Sequence, residues 1–196
     1  TVVTAGPTFG MYAFDSGLNG STIVDVPRLD DWSVDGDALI AAARDAQVVF
    51  LASPNNPTGN LLKTGVLEAL LETGALIVLD EAYIEFSGRP SMAVRAAAEP
   101  ALLVLRTFSK WGGIAGMRVG YATGVAESID VMLRAKQPYN ISAASQAAAL
   151  GSLEDVAVLD ERAQILVAER DRLAGAMLSS EWLEPFPSDT NFLLVR

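Results

Sequence analysis

The chain has no cysteine and no histidine. The first absence excludes disulfide frameworks, thiol catalysis and cysteine-ligated zinc. The second excludes Ser-His-Asp and Cys-His mechanisms and the usual zinc and iron sites. Proton transfers in an enzyme built from this chain must run through Lys, Tyr, Asp, Glu or a cofactor. Lysine is scarce as well, with Lys63, Lys110 and Lys136 the only three among 196 residues. The 14 basic residues are scattered and outnumbered by 24 acidic ones, so the electrostatic footprint of a nucleic-acid binder is missing. No apolar run approaches the roughly 20 residues of a membrane span, and the opening TVVTAGPTFG lacks a basic region followed by an apolar stretch. These absences lead us to expect no membrane partner and a cytoplasmic location.

What is present is a chain 51% hydrophobic, enough to bury the core of one domain or slightly more. Short runs rich in Val, Ile and Leu at 48–52, 75–80, 101–107 and 119–123 read as buried strands, with 21–26 and 191–195 as weaker candidates. Between them 35–46, 64–74 and 91–99 read as helices. The alternation predicts an α/β fold of three layers, a mostly parallel sheet with helices on both faces. Beyond residue 140 the pattern turns helical at 142–153 and 154–178. In the second segment Leu159, Ala163, Leu166, Leu173 and Met177 form one stripe, which we expect to be core packing.

Ligands of parallel α/β sheets bind outside the carboxyl ends of the strands, so the residues there are the candidates for a site. After 48–52 comes SPNNPTG, with Asn56 held between prolines that restrict the backbone. After LIVL comes DEAYIEF, placing Asp80 at the strand end and Tyr83 three residues on. After LLVLR comes TFSK, with Thr107, Ser109 and Lys110, and the opening VVT leads to Phe9. Taken singly, each has an ordinary reading as a turn, a cap or a solvated loop residue. Together they bring an amide, a carboxylate, a phenol, an amine, two hydroxyls and an aromatic ring to one sheet edge.

Pyridoxal 5'-phosphate needs such a set: a lysine for its Schiff base, an acid partner for the pyridine nitrogen, donors for the ring hydroxyl and a cup for the phosphate. Lys110 fits the first role and Asp80 the second. Asn56 and Tyr83 fit the ring oxygen, and Phe9 the ring face. Thr107, Ser109 and Arg118 fit the phosphate, which Arg118 can grip bidentately. Glycines 112, 113 and 116 are expected to let the backbone fold closely between Lys110 and Arg118.

SPNNPTG, DEAYIEF, RTFSKWGGIAGMRVGY and QPYNIS, in this order, resemble the fold-type I pyridoxal phosphate-dependent aminotransferases, most of all the histidinol-phosphate aminotransferase branch. The intervals agree: 24 residues from Asn56 to Asp80, 30 from Asp80 to Lys110 and 8 from Lys110 to Arg118. The resemblance implies the large-domain fold of that superfamily, with residues 1–178 as the cofactor-binding domain and connecting helix and 179–196 as the start of a small domain. It also implies a homodimer, and transfer of an amino group from an amino donor, L-histidinol phosphate, to a 2-oxo acid such as 2-oxoglutarate. Lys110, Asp80 and Tyr83 are the implied catalytic residues, and Phe9 stands where close relatives usually carry Tyr.

By the same comparison the chain is short at both ends. Upstream it lacks a small-residue turn of the phosphate cup and an arm tyrosine; downstream it lacks the arginines that grip the substrate's acidic group. Two alternatives keep the cofactor: a decarboxylase or lyase of a phosphorylated amino acid, and a catalytically incomplete cofactor-binding fragment. A nucleotide-binding module, suggested by GGIAG, would need G-x-G-x-x-G between the first strand and its helix, where it is absent.

Overall fold

The computed structural model describes residues 1–138 and 141–196. Tyr139 and Asn140 of the QPYNIS motif lie outside the described residues. Six strands form one sheet: β1 (Val2–Thr4), β2 (Ile23–Asp25), β3 (Val48–Ala52), β4 (Leu76–Asp80), β5 (Leu102–Thr107) and β6 (Gly120–Thr123), in the order β2-β1-β3-β4-β5-β6. The first five run parallel, and β6 returns antiparallel to β5. The chain crosses from β2 over β1 to β3, which makes the carboxyl end of β1 and β3 a switch point where a crevice opens. Register then aligns the strand ends, with Ala52 opposite Asp80 and Asp80 opposite Leu105.

Helices cover both faces because the strands are apolar on both, as a parallel sheet requires. Val3, Val49, Leu51, Ile77, Leu79, Leu102 and Val104 form one core with Leu39 and Ala43 of α2 (Gly36–Ala43), Leu67 and Leu70 of α3 (Thr64–Leu71) and Ala96 of the single-turn α4 (Ala93–Ala96). Val2, Val78 and Leu103 are buried as well. Toward one end, α1 (Met11–Leu18) stacks Tyr12 on Phe50 of β3, their ring centroids 5.2 Å apart. The remaining helices are α5 (Ala126–Ala135), α6 (Ala143–Glu154) and α7 (Val156–Met177). No helix among the described residues is long and apolar enough to cross a membrane.

Two sequence expectations are corrected here. Residues 191–195 form no strand of the sheet. Their only β pairing is an isolated antiparallel bridge between Pro185 and Val195, so the segment folds back on the residues just before it. The reason is local side-chain competition for the backbone: Ser188 Oγ accepts from Thr190 N (3.1 Å) and Thr190 Oγ1 from Phe192 N (3.2 Å), which bends the chain away from an extended ladder. The α7 stripe is core only at its beginning. Leu159 and Ala163 are buried, whereas Leu166 and Leu173 are nearly half exposed, because only the first turns of α7 lie on the Tyr83–Phe86 cluster.

Candidate active site

A cavity of about 270 Å³ opens at the carboxyl ends of β1, β3, β4 and β5, and all eight residues singled out from the sequence line it. Asp80, the last residue of β4, is its most constrained group. Its Oδ2 accepts a bond from the Tyr12 hydroxyl (2.6 Å) and its Oδ1 one from Ala82 N (2.9 Å). Burial pushes the Asp80 carboxyl above its ordinary range, against the opposing pull of those two bonds and of the Lys110 charge. Burial is also the chief cause that pushes the Tyr12 phenol up, helped by the neighbouring Asp80 carboxylate, so the phenol stays protonated as a donor.

Tyr12 escaped the sequence reading. It sits three residues after Phe9, on the first turn of α1, where an aromatic reads as core. Phe9 packs edge-on against its ring at 5.5 Å between centroids, so Tyr12 contacts both Phe9 and the Asp80 carboxylate. Asn55 was passed over too. It is fully buried, accepts from Thr8 Oγ1 (2.7 Å) and donates to Pro7 O (3.0 Å) and Thr58 Oγ1 (2.8 Å). Those bonds hold the loop bearing Phe9 to the loop bearing Asn56. The signal for Asn55 was its place in an N-N pair before Pro, but one sequence does not say which amide faces inward.

Tyr83 is buried, its ring met at 84° by Phe192 with centroids 5.1 Å apart. Lys110 is exposed, and its Nζ lies 5.2 Å from the centre of the same ring. Beneath them Arg106 Nη2 donates to Glu85 Oε1 (2.7 Å), tying β5 to the turn after Tyr83. At the β5 end Thr107 Oγ1 accepts from Ser109 N (3.0 Å) and donates to Val119 O (3.3 Å), which sets the TFSK turn against the residue after Arg118.

Arg118 itself is left-handed, with φ 55° and ψ 44°, one of only two such non-glycine residues among those described. Held αL backbone in a non-glycine residue costs on the order of 1 kcal/mol and tends to occur at functional sites. Of the three glycines expected to permit this turn, Gly112 does, since a Cβ there would lie 2.9 Å from Phe108 O, and Gly113 does through its φ of +67°. Gly116 does not; nothing lies within 4 Å of the position its Cβ would take, so a side chain fits there.

Among the described residues, the side chains of Asn56, Tyr83 and Ser109 reach the cavity without a hydrogen bond to protein, and Lys110 Nζ meets the Tyr83 ring and the field of the Asp80 carboxylate without a hydrogen bond. The arrangement offers a half-buried carboxylate, a primary amine, unpaired neutral donors and a guanidinium around an aromatic wall. That donor set fits a flat ring bearing a protonated nitrogen, an oxygen substituent and an anionic tail.

The profile of the family described as "Aminotransferase class I and II" matches residues 1–196. The chain is 45% identical over 200 residues to the histidinol-phosphate aminotransferase of Roseiflexus castenholzii, covering all of this chain and 53% of that protein. It is 43% identical over 195 residues to histidinol-phosphate aminotransferase 1, chloroplastic, of Arabidopsis thaliana, covering 98% and 47%. The crystal structure of histidinol-phosphate aminotransferase from Sinorhizobium meliloti in complex with pyridoxal-5'-phosphate superposes with a TM-score of 0.90 at 31% identity, over 99% of this chain and 54% of that one. The chain thus spans about half the length of the curated relatives it matches.

Proposed function

The chain belongs to the aminotransferase class I and II family, and on that premise we propose that its cavity holds pyridoxal 5'-phosphate and that the protein moves the amino group of L-histidinol phosphate to 2-oxoglutarate. The observation that carries this reading is the gathering of Lys110, Asp80, Tyr83 and Asn56 around one cavity from three separate strand ends. Bound pyridoxal phosphate supplies an aldehyde that condenses with amines and a ring that accepts the electron pair of a broken C–H bond.

The residues then divide the work. Asp80 holds the proton of the ring nitrogen, and a cation there offsets the cost of burying its carboxylate. Asn56 and Tyr83 donate to the ring oxygen, and Phe9 covers the ring face. Thr107, Ser109 and Arg118 bind the phosphate. Lys110 Nζ would hold the cofactor at its aldehyde carbon and, as a primary amine beside the substrate Cα, would serve as the base that carries the proton from that atom. The kinetics follow a ping-pong pattern. A homodimer and a cytoplasmic location belong to this reading as well, and sedimentation of the protein tests the dimer.

Borohydride reduction of the cofactor-loaded protein tests the assignment. The pyridoxyl mass is expected on the peptide containing Lys110, and Lys110→Ala removes it while Lys63→Ala and Lys136→Ala leave it in place. A label on Lys63 or Lys136, or no selective label, overturns the reading. Product analysis separates transfer from its rival: glutamate formed from 2-oxoglutarate supports it, and release of carbon dioxide from the donor contradicts it.

A further inference from the structure

The turn at 188–192 touches two sides of the candidate site at once. On one side Asp189 N donates to Gly59 O (2.7 Å), and Gly59 N donates to Asn55 O (2.8 Å), the residue before Asn56. The approach is close enough to require glycine: a Cβ on Gly59, whose φ is +79°, would lie 2.7 Å from Ser188 Oγ. On the other side Phe192 packs edge-on against the Tyr83 ring, within a cluster that includes Trp111 and Ala163. The turn is itself rigid. Thr190 is fully buried, its carbonyl accepts from Arg170 Nη1 of α7 (2.6 Å), and Ser188 Oγ donates to Phe192 O (2.7 Å).

We propose that residues 188–192 form a strap that positions both ring-oxygen donors, Asn56 through Gly59 and Tyr83 through Phe192. Phe192 touches no atom of the proposed chemistry, so it is a positioning residue. The Tyr83 hydroxyl donates well only if its ring is held in one orientation, and among the described residues that hydroxyl has no protein partner to hold it. The ring contacts therefore set its aim, with Phe192 on the edge and the Lys110 ammonium over the face. The inference rests on the reading of the cavity as a pyridoxal phosphate site.

The test is a pH titration of the absorbance of the lysine-bound cofactor in the full chain, with cofactor affinity measured alongside. A hydrogen bond to the ring oxygen favours its ionised form, so a misaligned Tyr83 raises the titration midpoint. Phe192→Ala is expected to raise that midpoint by about half a unit to one unit and to weaken cofactor binding about three- to tenfold, the range of one ordinary hydrogen bond. Phe192→Tyr keeps the ring edge and restores both. Arg196→Ala, which breaks the exposed pair with Glu184 outside the strap, leaves both unchanged. If Phe192→Ala does not fold, Phe192→Leu keeps most of the volume without the ring edge and must show the upward shift. A Phe192→Ala or Phe192→Leu variant that binds the cofactor and titrates as the unaltered protein does overturns the strap while the cofactor reading stands. Failure of the unaltered protein to develop a Lys110-dependent absorbance overturns both.

Discussion

Helices α2 and α3 bury Leu39, Ala43, Leu67 and Leu70 almost completely, whereas α5 buries none of its 10 residues and α7 only Leu159 and Ala163 of 22. Both groups carry Leu, Ile and Val, although α5 and α7 intersperse them with more charged residues. The first group lies across four strands whose outward side chains are apolar at every second position, so each Leu meets a continuous surface. The second meets the sheet unit only at edges and turns, and Val131, Leu133, Leu166 and Leu173 stay largely exposed. An apolar stripe therefore announces a face suited to burial without specifying how much of it the same chain covers. Stability should reside in the sheet unit, and the site is mounted on that unit's rigid edge.

The largest expected effect tests this division directly. Leu70→Ala, at a position with no exposed surface, should cost about 2–5 kcal/mol in urea unfolding, because transfer and cavity costs add. Leu173→Ala, at 45% exposure, should stay within about 0.5 kcal/mol. Equal losses would break the comparison. Next come two helix caps. Asp35 accepts from Ala38 N (3.0 Å) at the start of α2, and Ser142 from Ser145 N (3.2 Å) at the start of α6. Asp35→Ala should lower global stability by about 1 kcal/mol. Ser142→Ala should act locally: faster amide exchange in the first turn of α6 with little change in the global midpoint. A global loss from Ser142→Ala as large as that from Asp35→Ala would show α6 to be part of the same cooperative unit.

The two regions also differ in how far they could be read in advance. Strands β3, β4 and β5 were legible because a parallel sheet buried on both faces demands continuous Val, Ile and Leu runs, and those runs carried Asn56, Asp80 and Lys110 at their ends. The antiparallel return of β6 was not legible, since a short run such as VGYAT can mark a strand without giving its direction. NFLLV has the pattern of a strand, yet Ser188 and Thr190 capture the backbone groups of Phe192, a competition that hydropathy does not register. Tyr12 and Asn55 were missed for another reason. Each acts through a tertiary partner, Asp80 at 68 residues' separation and Pro7 at 48, and no local spacing reports such a pairing.

One further effect expected on stability has the opposite sign, and it falls at Asp80. The folded-state pKa of its carboxyl stands above the unfolded value, chiefly because of burial. The native state then binds more protons than the unfolded chain across the interval between the two values, so this group's contribution to stability is complete below the unfolded value and is lost as pH rises through the folded one. Above its folded-state value the cofactor-free protein carries the full cost of that buried charge. Asp80→Asn removes the charge and keeps the bonding, since the amide oxygen can still accept from Ala82 N while its nitrogen donates to the Tyr12 oxygen. Thermal melts of the cofactor-free Asn variant should therefore show a Tm at pH 7 higher by a few degrees at most, on the order of 1 kcal/mol, and a flatter decline from the ordinary carboxylate range to neutrality. The same substitution should keep the borohydride label on Lys110 while abolishing amino transfer, because an amide cannot hold a proton on the ring nitrogen. A lower Tm with an unchanged pH slope would mean that the Asp80 carboxylate stabilises the fold; undiminished transfer would remove it from the chemistry.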